Sequence, residues 1–442
     1  MRELKNIYDC ACGKVHECDL ELVTGNGAIK KVPELLKKRG LSKPFVVADK
    51  NTYKAAGEKL LAILKDAGIS YVLYVYEKEV IKPEEESCGS LLLHFDNTCD
   101  SVIGVGSGVI NDCCKIFSSA AHLPYLILAT APSVDGYASY SGSMEVDGLK
   151  TTVPAKYPEM VVGDTDILKN APLPMLKSGL GDMIAKYVGL TEWRLSALIN
   201  DEYFCPVIYD MMSEALETCM KNAEGLVRRE DEAVQVVFEG LVLAGVAMTY
   251  AGATRPASGG EHYFSHIWDM RGLEFGTKVD MHGTQASLGT ILSLGLYEQL
   301  AKITPDREKA LNYVANYDKE AWFERLTALV GTGAKSMIRN EARDGKYDPE
   351  KHKKRLEVIL EHWDEIVAII NDLPKQADII ALLRSIDAPV SPEELGIPSD
   401  LSEVFLATKD IRDKYVLSRL AWDLGVIDEL AETLKPENRK AV

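Results

Sequence analysis

Positive charge is scarce in this chain of 442 residues: 50 Lys and Arg stand against 67 Asp and Glu, a formal charge of −17. No basic stripe runs along it. That argues against nucleic acid as a partner, because phosphate-backbone binding draws on clustered cations and released counterions. Long apolar runs are missing as well; none reaches the roughly 18 to 20 residues that a bilayer-spanning helix needs, so no membrane insertion is expected. The opening MRELKNIYDCACG is charged, with no apolar segment behind it, so no secretory signal is read and a cytoplasmic location is expected. Cysteine is thin: nine residues, an odd number, unlike the dense even set of a disulfide-stapled secreted domain. Repeats and low-complexity tracts are absent. The remaining composition, 46% hydrophobic and 26% charged, is ordinary for a globular chain, and at this length two domains are expected.

The two halves differ in texture. Up to about residue 170, short apolar strands (Pro44 to Ala48, Tyr71 to Tyr76, Ser101 to Val105, Tyr125 to Ala129, Met160 to Val162) alternate with helical stretches (Lys31 to Lys38, Tyr53 to Ala67, Val109 to Ala121). Such alternation predicts βαβ units and a mostly parallel sheet. Two extended runs around Asp147-Gly148 predict a hairpin with a tight turn. Beyond Ala171-Pro172-Leu173-Pro174 helical periodicity takes over, with helices over Lys177 to Leu198, Ala233 to Tyr250, Ala286 to Ile303 and Arg355 to Ile370. The expectation is an α/β nucleotide-binding domain over 1–170 followed by an all-helical domain over 171–442.

Three strand ends carry chemistry. After Ser101 to Val105 comes Gly104-Val105-Gly106-Ser107-Gly108-Val109-Ile110-Asn111-Asp112, where glycines let the backbone approach a pyrophosphate at a helix start. The loop departs from G-x-G-x-x-G at Val109 and lacks the Lys-Ser/Thr of a P-loop, so an ordinary tight turn is an equal reading. A second strand end, Ala129-Thr130-Ala131-Pro132-Ser133-Val134-Asp135-Gly136-Tyr137-Ala138-Ser139, offers small and hydroxylated residues to a bound cofactor, or is a polar loop. The third is Asp49, which suits either the adenosine side of a dinucleotide or the N-cap of the following helix.

Histidines cluster late: His262, His266 and His282 fall within 21 residues. The first two share a helix face at i, i+4, and His282 precedes Gly283 at a helix start. Asp182, in Gly179-Leu180-Gly181-Asp182, is an acid at an apolar helix beginning. One carboxylate with two imidazoles can hold a divalent ion and leave a position open for Lewis-acid chemistry. Paired helical histidines also arise by chance, and Lys186 is an alternative partner for Asp182.

Together GVGSGVINDCCK, ATAPSVDGYAS, VVGDTDIL, LKSGLGDMIAKY, RPASGGEHYFSH and MHG resemble the sn-glycerol-1-phosphate dehydrogenases, a branch of the superfamily of iron-containing alcohol dehydrogenases, glycerol dehydrogenases and 3-dehydroquinate synthases. They run in the family's order over roughly residues 10 to 290. The resemblance implies a dehydroquinate synthase-like fold, NAD(H) or NADP(H), and one divalent metal, zinc first, with nickel or iron as alternatives. It implies Asp182, His262 and His282 as metal ligands and His266 as a catalytic histidine at the substrate. Asp135 lies beside the substrate, and Asp182 is counted with the substrate site. Gly106, Ser107, Gly108, Asn111, Asp112, Thr130, Ser133 and Ser139, with Asp49, fall in cofactor-contacting segments. The implied reaction is reduction of dihydroxyacetone phosphate to sn-glycerol 1-phosphate, the metal polarising the carbonyl; bacterial relatives lead one to expect a homodimer.

A phosphorylated substrate needs a local positive element in an acidic protein. Arg255 and the helix entry Ser258-Gly259-Gly260 are the candidates, Arg255 being equally suited to an ion pair. The rivals are a glycerol dehydrogenase without a phosphate site, a 3-dehydroquinate synthase-like lyase, disfavoured by Asp182 where that branch places glutamate, and a noncatalytic scaffold. At the N-terminus Cys10-Ala11-Cys12, His16 and Cys18 are read as packing residues rather than a zinc site, since C-x-C lacks the usual knuckle spacing.

Overall fold

Eight strands occur among the described residues: β1 (Glu21–Gly25), β2 (Pro44–Asp49), β3 (Val72–Tyr76), β4 (Ser101–Gly106), β5 (Tyr125–Ala129), β6 (Ser141–Val146), β7 (Leu149–Pro154) and β8 (Met160–Asp164). The computed structural model describes residues 6–146, 149–398 and 400–438. Six strands form one parallel sheet in the order β1-β8-β5-β4-β2-β3, and β6 pairs antiparallel with β7. The hairpin is as expected; its turn residues Asp147 and Gly148 lie outside the described residues.

β4, β5 and β8 are buried along their whole length, and β2 as far as Ala48. That is why they read as unbroken apolar runs: a parallel strand covered on both faces has no polar alternation. β1 went unpredicted because it is a half-exposed edge, Glu-Leu-Val-Thr-Gly, with no such run. The chain leaves β2 toward the β3 edge and leaves β4 in the opposite direction, toward β5 and β8. The reversal between β2 and β4 opens a crevice at their carboxyl ends, where ligands of open α/β sheets bind.

Two compact units emerge, each assembled from two segments: Met1–Met183 with Pro206–Thr254, and Ile184–Cys205 with Arg255–Val442. They are not the contiguous halves expected from a division at residue 170. The first unit takes in the helix Asp231–Ala251, the one helix among the described residues long and apolar enough to cross a membrane by length and composition. It is the helix expected over Ala233 to Tyr250, whose apolar run is interrupted by Gln235 and Glu239. In the fold it is a core helix: Phe238 packs edge-on against Tyr137 at 5.4 Å, and Gln235 and Glu239 hydrogen-bond Thr24 on β1. The second unit is helical. The helix expected over Lys177 to Leu198 is two, Leu173–Ile184 and Lys186–Asn200, and that over Arg355 to Ile370 splits at His362.

Candidate functional site

In the first unit, Asp49, Gly106 and Thr130 stand at or just beyond the carboxyl ends of β2, β4 and β5, on either side of the strand reversal. Gly106 is required by packing: a Cβ there would lie 2.5 Å from Ile110 Cβ, so only glycine lets the helix Gly108–Ala121 start this close to its strand. Ser107, the N-cap of that helix, makes no side-chain cap bond. A helix start without a side-chain cap can offer its first-turn N–H groups to a pyrophosphate. Asp49 does cap its helix, Oδ1 accepting from the N–H groups of Asn51 (2.7 Å) and Thr52 (2.8 Å).

The loop after β5 is held by a residue that the sequence reading passed over. Lys115 is fully buried; its Nζ donates to the carbonyls of Gly136 (2.8 Å) and Ser141 (2.7 Å) and to Ser139 Oγ (3.0 Å), with Asp112 at 3.5 Å. Burial pulls its ammonium down from the ordinary lysine range, against the opposing pull of Asp112. Asn111, expected at the cofactor, is fully buried with both amide ends engaged, Nδ2 on Gly136 O (3.1 Å) and Oδ1 accepting from Tyr125 OH (3.2 Å). Its side chain shapes the loop. Asp112 turns toward Lys115 and the Ser143 N–H, and Ser139 is held by Lys115, so both serve the loop from behind. Ser133 is buried, and its carbonyl accepts from Ser178 Oγ.

Ser178 belongs to the helix Leu173–Ile184, which lies on this loop through Gly179: a Cβ there would fall 1.8 Å from Pro132 O. The close approach brings buried Asp182 to the loop, where Oδ2 accepts from the Asp135 N–H at 2.9 Å.

In the second unit the helices Gly260–Phe275 and His282–Leu300 bring the three histidines together. The rings of His262 and His282 are 5.0 Å apart and those of His266 and His282 are 6.0 Å apart. A ring nitrogen of His262 lies within 4.8 Å of one of His282. Each of these two rings is braced. His262 Nδ1 meets Glu261 Oε1 at 2.7 Å, so its Nδ1–H points at the carboxylate and the Nε2 lone pair faces the other way. His282 Nδ1 lies 3.3 Å from Ser265 Oγ, which accepts from Gln285 Nε2 (3.1 Å). Glu261 Oε2 is buried and has no hydrogen-bond partner among the described residues. A carboxylate–histidine pair with one carboxylate oxygen unsatisfied fits a cation nearby, whose ligating histidines characteristically hold such partners. Glu261 stood in the quoted SGGEHYFSH segment, yet spacing singled out only the histidines.

The groups expected at the phosphate have partners within the protein. Arg255 is buried and forks onto Glu202 (2.8 and 2.6 Å), with further bonds to Tyr415 O and Ser196 Oγ. The Gly259 N–H goes to Glu261 Oε1 (2.8 Å) and the Gly260 N–H to Glu192 Oε2 (2.7 Å), so this helix entry already carries two carboxylates. Burial, and then the charge of Glu261, push the Glu192 carboxyl up to about 7. Lys414 reaches the same turn, donating to Ser258 O (2.6 Å) and Oγ (2.7 Å).

The chain is similar to known proteins of one family. A family model described as iron-containing alcohol dehydrogenase matches residues 23–172. The glycerol-1-phosphate dehydrogenase (NAD(P)+) of Halalkalibacterium halodurans is 30% identical over 401 residues, covering 89% of this chain and 90% of its own. That of Pyrococcus furiosus is 34% identical over 284 residues, covering 64% of this chain and 80% of its own. Among solved structures, a glycerol dehydrogenase from Schizosaccharomyces pombe superposes with a TM-score of 0.62 at 18% identity, over 98% of this chain and 94% of that one, a likeness of fold.

Proposed function

Because this chain belongs to the glycerol-1-phosphate dehydrogenases, NAD(P)-dependent oxidoreductases of the iron-containing alcohol dehydrogenase superfamily, we propose that it reduces dihydroxyacetone phosphate to sn-glycerol 1-phosphate, reversibly. We place it in the cytoplasm, as a homodimer. In this reading Asp182, His262 and His282 hold one divalent ion, zinc first, with nickel or iron as alternatives. Such an ion supplies Lewis-acid polarisation of the substrate carbonyl, and NADH or NADPH supplies the hydride.

The chain's own groups do the rest. The Gly106-Ser107-Gly108 turn and its helix start receive the pyrophosphate, with Asp49 on the adenosine side and Thr130 and Ser133 along the dinucleotide. Lys115, Asn111, Asp112 and Ser139 set the loop that faces it. Glu261 and Ser265 keep the two ligating rings in one tautomer and orientation. His266, half-buried beside His282, passes a proton toward the alkoxide oxygen, and Asp135 orients the substrate hydroxyls. The observation that carries the metal assignment is the bracing of His262 by a buried carboxylate with an unsatisfied oxygen.

One observation favours a second reading, reduction of an unphosphorylated ketone: Arg255 and the 258–260 entry are both committed elsewhere. The metal assignment is tested with His282→Ala, which should lose about one equivalent of bound metal per chain and activity together. A variant that keeps both would remove His282 from the ligand set.

A further inference from the structure

The N-terminal cysteines were read from their spacing as packing residues, and the structure separates them into two kinds. Cys18 is buried, and desolvation pushes its thiol up to about 12, which marks an inert packing thiol. Cys10, Cys12 and His16 instead converge, with one ligand atom from each lying within 4.8 Å of the others. The convergence is built by backbone. Ile7 and His16 exchange two hydrogen bonds of 2.9 Å, closing a small loop. Within it the Gly13 N–H bonds Cys10 O at 2.9 Å, and Gly13 sits at φ +77°, where glycine is favoured. This turn puts both thiols of the C-x-C pair on the side of His16.

The imidazole is prepared in the way a metal ligand is. His16 is 1% exposed, and its Nδ1 lies 3.0 Å from Tyr250 O, an acceptor only, so Nδ1 carries the proton. The Nε2 lone pair is then directed at Cys12 Sγ, 3.3 Å away. A ring N–H on a backbone carbonyl is the usual outer partner of a ligating histidine. Zn–S bonds of about 2.3 Å and Zn–N bonds of about 2.0 Å place a tetrahedral sulfur and nitrogen roughly 3.5 Å apart, close to the 3.3 Å between Cys12 Sγ and His16 Nε2.

We propose that Cys10, Cys12 and His16 form a second metal site, a thiolate–imidazole site for zinc or another thiophilic divalent ion, using none of the residues assigned to catalysis. On binding, the two thiols release their protons to solvent and the sulfurs become ligands, while His16 enters as the neutral ring. The role that follows is a clamp, fixing the N-terminal loop to the end of the helix Asp231–Ala251 through Tyr250.

The test is cobalt substitution of the full-length protein. The catalytic set has no sulfur, so thiolate-to-cobalt charge-transfer absorption cannot arise from it, and the double variant assigns the band to Cys10 and Cys12. The proposal expects that band in the wild type, its loss in Cys10→Ser/Cys12→Ser, and a loss of about one metal equivalent per chain in that variant. The wild type supplies a control free of folding effects: Cys10 and Cys12 should resist alkylation with zinc bound and react after chelation, as located by mass mapping. Absence of the band, alkylation indifferent to zinc, or a Cys10–Cys12 disulfide in protein purified under reducing conditions would overturn the proposal.

Discussion

Asp182 accepts a hydrogen bond from the backbone N–H of Asp135, 2.9 Å from its Oδ2. One carboxylate thereby joins the helix Leu173–Ile184 to the loop after β5, and fixes the backbone of the residue assigned to the substrate hydroxyls. The contact depends on Gly179, one turn earlier in the same helix.

Gly179→Ala should therefore be severe for so small a change. The added methyl would sit 1.8 Å from a backbone oxygen, which cannot swing aside as a flexible side chain can. Overpacking of this kind costs about 1–3 kcal/mol. Denaturant unfolding should show it, and kcat should fall with stability because Asp182 moves with the helix. Wild-type stability and kcat together would contradict the account.

Glu261→Gln should weaken metal binding without abolishing it. Lost support for a ligating histidine typically costs 10–100-fold in metal affinity. Titration of metal into the chelated variant should give a shift of about that size. An unchanged affinity would mean that Glu261 serves only to cap Gly259.

Lys115→Met should loosen the 136–141 loop. It removes the charged donor shared by Gly136 O, Ser139 Oγ and Ser141 O, leaving Gly136 O to Asn111 Nδ2 and Ser141 O to Ser139 Oγ, and a hydrogen bond to a charged group is worth about 1.5–3 kcal/mol. The KM for NADH or NADPH should rise more than kcat falls. The reverse split would place the lysine's influence on the chemical step.

The buried Glu192 carboxyl makes stability depend on pH in a stated direction. Its folded pKa, about 7, lies above the ordinary glutamate value of 4.5, so the folded protein holds the proton more tightly. That contribution is fully present below the unfolded pKa and is lost as pH rises toward about 7. The stability advantage of wild type over Glu192→Gln, from urea midpoints, should shrink across this window. An advantage that grows with pH would contradict the assigned shift.

The sheet was legible where strands are buried on both faces: β5 occupies the expected Tyr125 to Ala129, while the half-exposed edge β1 left no run to read. His262 and His282 were legible because a helix face and a helix start are local features. Arg255 was not, since its partners Glu202 and Tyr415 lie 53 and 160 residues away along the chain. The same holds for the join of Pro206–Thr254 to the α/β unit, which rests on packing between distant segments. The convergence of Cys10 and Cys12 on His16 was not legible either, since a turn and a backbone pairing bring their side chains together rather than the spacing of a common knuckle.

The central claim is metal-dependent reduction of a phosphorylated ketone. The most direct measurement follows NADH and NADPH oxidation with dihydroxyacetone phosphate and with dihydroxyacetone, before and after chelation and metal return, and then determines the configuration of the product. The account predicts turnover of the phosphorylated ketone, lost on chelation, restored by a divalent ion, and yielding the sn-1 product. Preference for the unphosphorylated ketone, an sn-3 product, or turnover indifferent to chelation would contradict it.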